Sequence, residues 1–133
     1  MAEHKKLMIV EDDALLSIVT EQMALSLGYA VVGKAKSGEE ALRKASECNP
    51  EILLIDINLA GELDGVETAQ AICELYMGIP VIFLSGDISH EIKRYASKVD
   101  YLDFLSKPVS TNQLGASLEK ASQQEITLSQ NAA

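Results

Sequence analysis

Four short apolar runs stand out along the chain: Leu7-Met8-Ile9-Val10, Ile52-Leu53-Leu54-Ile55, Val81-Ile82-Phe83-Leu84, and residues 101–105. Continuous apolar runs of this length, without alternation, read as strands buried on both faces, as in a parallel sheet. Ala30 to Ala35 alternates more weakly and reads as an edge strand. Helical patterns fill the gaps. Leu16, Val19, Met23 and Leu27 recur at three- and four-residue spacing and Gly28 follows as a stop. Ser37-Gly38-Glu39-Glu40 has the form of a capping box and opens a helix to about Cys48, broken by Asn49-Pro50. Asp64-Gly65-Val66-Glu67 opens another to about Tyr76, and a fourth covers roughly residues 89–98. Ser110-Thr111-Asn112-Gln113 is a second capping-box pattern, with Leu114 and Leu118 on the inner face of its helix. Strands and helices alternate strictly, and right-handed crossovers then give an α/β fold, a parallel sheet with helices on both faces. The domain is expected over residues 1–124, followed by a polar tail at 125–133.

Each apolar run leads into polar residues, and those residues form one chemical set. The first ends on Glu11, Asp12 and Asp13, the second on Asp56, the third on Ser85, and the fourth leads through Ser106 to Lys107-Pro108. In open α/β sheets the ligand site lies beyond the carboxyl ends of the strands, so these groups should converge on one rim. Adjacent carboxylates repel, more so when buried, and a hard divalent cation such as Mg²⁺ relieves the repulsion through oxygen ligands. Asp13 is explained by beginning a helix, where an acid suits the dipole; Asp56 is not. A carboxylate at the end of the most apolar strand can attack phosphorus to form an aspartyl phosphate. Ser85 then offers a hydroxyl, Lys107 a cation, and Gly86 leaves space beside the phosphoryl group. A cis peptide before Pro108 would aim Lys107 back into the site.

Length and charge narrow the classes. The 133 residues suffice for one domain with a single core. A net charge of −9 disfavours direct nucleic-acid binding. The apolar runs are too short to span a bilayer and no signal peptide precedes them. Cys48 and Cys73 lack metal or redox spacing and read as reduced, partly buried thiols in a cytoplasmic protein. His4 and His90 read as exposed surface.

With these residues in place, the chain resembles the receiver domain of two-component response regulators over about residues 6–121. The resemblance implies a flavodoxin-like doubly wound sheet of five parallel strands in order 2-1-3-4-5. It implies Asp56 as phosphoacceptor, served by a histidine kinase or phosphotransfer protein. It implies Mg²⁺ held by Asp12 and Asp56, by Glu11 through water, and by the backbone carbonyl of Asn58. Ser85 and Lys107 match the switch hydroxyl and the lysine of the family, and Phe104 the switch aromatic that turns inward. Output would pass to a downstream protein through the surface of the fourth helix, fifth strand and fifth helix, from a monomer or weak homodimer. Asp100-Tyr101 replaces the glycine–alanine pair common before the fifth strand, and the loop 59–65 is one residue longer than usual. Two alternatives remain. A haloacid-dehalogenase-like phosphohydrolase would need a second acid two residues after the nucleophile, where Asn58 stands. An inactive receiver-like interaction module would not need the complete set of site residues. On the favoured reading the chain is not an enzyme, beyond assisting its own phosphorylation and dephosphorylation.

Overall fold

The computed structural model describes residues 5–124; His4 and the tail at 125–133 lie outside them. Ten elements alternate as expected: β1 (Lys6–Val10), α1 (Ala14–Ser26), β2 (Ala30–Ala35), α2 (Gly38–Cys48), β3 (Ile52–Asp56), α3 (Gly65–Leu75), β4 (Val81–Ser85), α4 (His90–Ala96), β5 (Asp103–Ser106) and α5 (Thr111–Gln123). The strands form one parallel sheet in the order β2-β1-β3-β4-β5, a flavodoxin-like arrangement.

The sheet divides the core in two, which is why its central strands carry unbroken apolar runs. Met8, Val10, Leu53, Ile55, Val81 and Phe83 pack toward Ala41 and Ala45 of α2, Val66, Ala69 and Ile72 of α3, and Ala96 of α4. Their neighbours Leu7, Ile9, Ile52, Leu54, Ile82 and Leu84 pack toward Ala24 of α1 and Leu114, Leu118 and Ala121 of α5. Burying each such large side chain contributes about 1.5–3 kcal/mol. Ser110 and Gln113 form the reciprocal cap expected for α5, and Asp64 and Glu67 form one for α3. Both cysteines are free and partly buried.

Four local expectations change. Only the second half of the apolar stripe that marked α1 faces inward: Met23 and Leu27 pack against the core beside buried Ala24, whereas in the first half Ser17 and Thr20 are buried and Leu15, Leu16, Ile18 and Val19 are 37–69% exposed. The first half of this helix is apolar nearly all round, so periodicity cannot choose its buried side. Ser37 caps α2, but Glu40 accepts from the backbone N–H of Lys36 rather than of Ser37, so the box is not closed. The fifth strand begins at Asp103, not Tyr101, because the N–H of Tyr101 turns back to the carbonyl of Val99. The fourth helix is likewise shorter than residues 89–98, ending at Ala96.

Candidate functional site

Strand register decides which side chains meet. Val10 pairs with Ile55, Asp56 with Leu84, and Ser85 with Ser106. The residues at or just past those positions, Glu11, Asp56, Ser85 and Lys107, therefore share the carboxyl rim of adjacent strands. Glu11, Asp12 and Asp56 each offer a carboxylate oxygen within 4.8 Å of the others. Glu11 and Asp56 are buried and Asp12 is exposed. Asp13, as expected, is not part of the cluster but caps α1, accepting from the N–H groups of Leu15 and Leu16.

Lys107 neutralises the buried pair. Its Nζ donates to Asp56 Oδ2 at 2.8 Å and lies 2.9 Å from Glu11 Oε1. The aligned hydrogen bond goes to Asp56, so Glu11 Oε1 keeps a charge partner but no aligned donor. Burial pushes the Glu11 carboxyl up; the close Lys107 ammonium opposes this, and the Asp56 charge adds to the rise. Burial acts to lower the Lys107 ammonium, but Asp56 and Glu11 outweigh it and hold it above the ordinary lysine value. The Lys107–Pro108 peptide is cis.

The loop after β3 wraps the same cluster. The N–H of Asn58 donates to Asp56 Oδ1 at 3.0 Å and that of Ala60 to Asp12 Oδ2 at 3.1 Å. Gly65 opens α3 against this loop, where a Cβ would lie 2.1 Å from the Asp56 carbonyl oxygen. A buried carboxylate oxygen without an aligned donor, beside two further acids, suits a hard divalent cation and its waters.

Ser85 is fully buried, and its hydroxyl is occupied within its own loop: it donates to the Asp87 carbonyl and accepts from the Asp87 N–H. A Cβ at Gly86 would meet nothing within 4 Å, so the space beside Ser85 is open. Phe104 is half-buried, with its ring centroid 6.5 Å from that of Phe83 and 5.9 Å from that of Tyr101. Lys93 Nζ lies 5.7 Å from the Phe104 centroid, a cation–π contact.

Two features escape sequence reasoning. The Tyr95 hydroxyl on α4 donates to Asp64 Oδ2 at 2.6 Å, across 31 residues. That bond, helped by burial, pushes the phenol up to about 12, so it stays protonated. Neither residue belongs to a motif, and only the fold brings them together. The other is the exposed apolar surface of α1, which begins beside the acidic pair. Its residues were visible in the sequence, but their exposure was not.

Among proteins of known role, the response regulator receiver domain model matches residues 7–119. The transcriptional regulatory protein ZraR of Escherichia coli K12 is 34% identical over 115 residues; they are 86% of this chain and 26% of ZraR, so the chain spans about a quarter of that relative. The chemotaxis protein CheY of Thermotoga maritima is 28% identical, over 89% of this chain and 98% of CheY. The signal receiver domain of a modulated diguanylate cyclase from Desulfovibrio desulfuricans superposes with a TM-score of 0.82 at 38% identity, covering 90% of this chain and 94% of that one.

Proposed function

Because the chain belongs to the response regulator receiver domain family, we propose that it works as a phosphorylation switch with Asp56 as phosphoacceptor. Domains of this family are generally signalling switches rather than enzymes. The observation that carries the reading is the Lys107–Asp56 contact of 2.8 Å at the centre of the acidic cluster. A carboxylate oxygen of Asp56 attacks phosphorus, the bond from phosphorus to the donor's histidine nitrogen breaks, and that nitrogen leaves with the electron pair. Lys107 neutralises the charge that arrives, and the backbone N–H of Asn58 orients the carboxylate. Asp12, Asp56 and the backbone carbonyl of Asn58, with Glu11 through water, would hold Mg²⁺. The ion would supply positive charge at the phosphoryl oxygens.

The switch follows from where Ser85 and Phe104 rest. A phosphoryl group on Asp56 gives the Ser85 hydroxyl a stronger acceptor than the Asp87 carbonyl. Ser85 turns toward it, and Phe104 leaves Lys93 to fill the vacated space. The face of α4, β5 and α5 then differs between the two states, which is what a downstream protein reads. The exposed Leu15, Leu16, Ile18 and Val19, beside the rim, offer apolar surface for the histidine kinase or phosphotransfer protein. The net charge of −9 argues for protein rather than nucleic-acid partners. Among the described residues no helix is long and apolar enough to cross a membrane.

The test is intact mass after treatment with acetyl phosphate and Mg²⁺. The wild type gains one phosphoryl group and Asp56→Asn gains none. A wild type left unmodified, or an equal gain in both proteins, refutes the assignment.

A further inference from the structure

The α4 helix is held lightly. It has seven residues, and only Ala96 among them is fully buried. Its N-cap, Ser89, stands four positions after Ser85 and donates its N–H to Asp87 Oδ1, and the backbone of Asp87 in turn holds the Ser85 hydroxyl. Its last turn is tied elsewhere. The Tyr95 hydroxyl donates to Asp64 Oδ2 at 2.6 Å, and Lys98 Nζ sits 4.8 Å from the Tyr95 ring centroid.

Asp64 is a junction. Its Oδ1 accepts from the N–H of Glu67, and its own N–H donates to Glu67 Oε1, fixing the start of α3. The next residue, Gly65, donates its N–H to the Ile57 carbonyl at 2.8 Å, closing the loop that begins at Asp56. Ala60 ties the middle of that loop to Asp12. One side chain on α4 is therefore bonded to the segment that shapes the acidic cluster, and the other end of α4 leads to Ser85.

We propose that the Tyr95–Asp64 hydrogen bond is a latch that holds α4 in the resting arrangement and so limits how readily the site takes up a phosphoryl group. Tyr95 and Asp64 are positioning residues in this role; neither touches Asp56. The proposal rests on the phosphoacceptor reading above. A hydrogen bond to a charged acceptor is among the stronger single contacts available to a helix with one buried residue. Removing it leaves the ring's packing and the Lys98 contact in place but frees the helix to follow Ser85. Because the latch stabilises one of two states, its loss shifts the population toward the other before any ligand arrives.

The experiment is a beryllofluoride titration in constant Mg²⁺, followed by amide NMR, on the wild type, Tyr95→Phe, Asp64→Asn and the double variant. Tyr95→Phe binds about five- to tenfold more tightly than the wild type, the range expected for one coupling contact. In the free protein, without Mg²⁺, its α4 amide signals lie displaced toward their beryllofluoride-bound positions. In the Asp64→Asn background, which keeps a capping oxygen for α3, Tyr95→Phe adds little further. A purely structural bond would lower the melting temperature and leave affinity unchanged or weaker. That result, with a wild type that responds to beryllofluoride, overturns the latch alone. A wild type indifferent to beryllofluoride overturns the phosphoacceptor reading and the latch with it.

Discussion

Replacing Lys107 with methionine tests the electrostatics of the rim most directly, because the stem is kept and only the charge is lost. The ammonium lies 2.8 Å from Asp56 and 2.9 Å from Glu11, and both carboxylates are buried. Without it, carboxylate oxygens within 4.8 Å of one another face each other uncompensated. At an effective dielectric of about 20, two such charges repel by about 3.5 kcal/mol. Breaking a buried ion pair by removing one partner costs about 3–5 kcal/mol. The Lys107 side chain is 21% exposed, so water recovers part of the loss and the low end, about 3 kcal/mol, applies. For a domain of this size that corresponds to a fall in Tm of roughly 10 °C. Mg²⁺ substitutes for the missing charge, and at a hundred times its Kd restores about 2.7 kcal/mol. Urea denaturation followed by circular dichroism at neutral pH, with and without millimolar Mg²⁺, measures both numbers. A Lys107→Met protein within about 0.5 kcal/mol of wild type in chelator, the ordinary spread of a surface substitution, refutes the reasoning.

Other consequences can be checked separately. Millimolar Mg²⁺ raises the melting temperature of the wild type, and Asp12→Ala abolishes the rise; a wild-type curve indifferent to Mg²⁺ removes the metal site. Gly65→Ala destabilises by at least about 2 kcal/mol, because its Cβ would sit 2.1 Å from backbone that cannot yield; chemical denaturation gives the value. Burial acts to raise the Asp103 carboxyl, but hydrogen bonds from Ser117 and the Phe104 N–H, with Lys120 nearby, outweigh it and leave it below the ordinary value. A lowered carboxyl contributes stability above its unfolded pKa and loses it as pH falls through the folded one. Ser117→Ala is therefore less stable than wild type by about 1 kcal/mol at pH 7, and the gap narrows as pH falls below about 3.9; a gap that stays constant with pH excludes the Asp103 bond as its cause. Asn58 and Asp87 are both exposed beside the rim, and the proposed phosphoacceptor role of Asp56 makes them the pair that would frame the approach of water to its phosphoryl group. A bulky apolar residue at either slows dephosphorylation about tenfold, or 1.4 kcal/mol in barrier, which phosphoryl decay after donor removal measures; unchanged decay in both variants excludes the pair.

The sequence by itself determined the alternation of elements, the fold class and the membership of the rim. Continuous apolar runs can belong only to segments covered on both sides, and the polar residues that end them, Glu11, Asp56, Ser85 and Lys107, are carried by the strands to one edge. Caps at Asp13, Asp64 and Ser110 were legible for the same reason: they act within one turn of chain. What the sequence could not decide depends on groups distant in the chain. The face that α1 buries is set by how the helix lies on the sheet, which leaves Leu15 and Ile18 outside and Ser17 and Thr20 inside. The start of β5 is set by a turn at Val99 and by pairing with β4. Lys107 divides its charge between Glu11 and Asp56 because register brings three strand ends together. The bond from Tyr95 to Asp64 joins α4 to the N-cap of α3 across 31 residues of chain, a meeting that no local pattern encodes. Local patterning encodes which surfaces must be buried; only the assembled sheet and its helices fix which side chains then come within a hydrogen bond of one another.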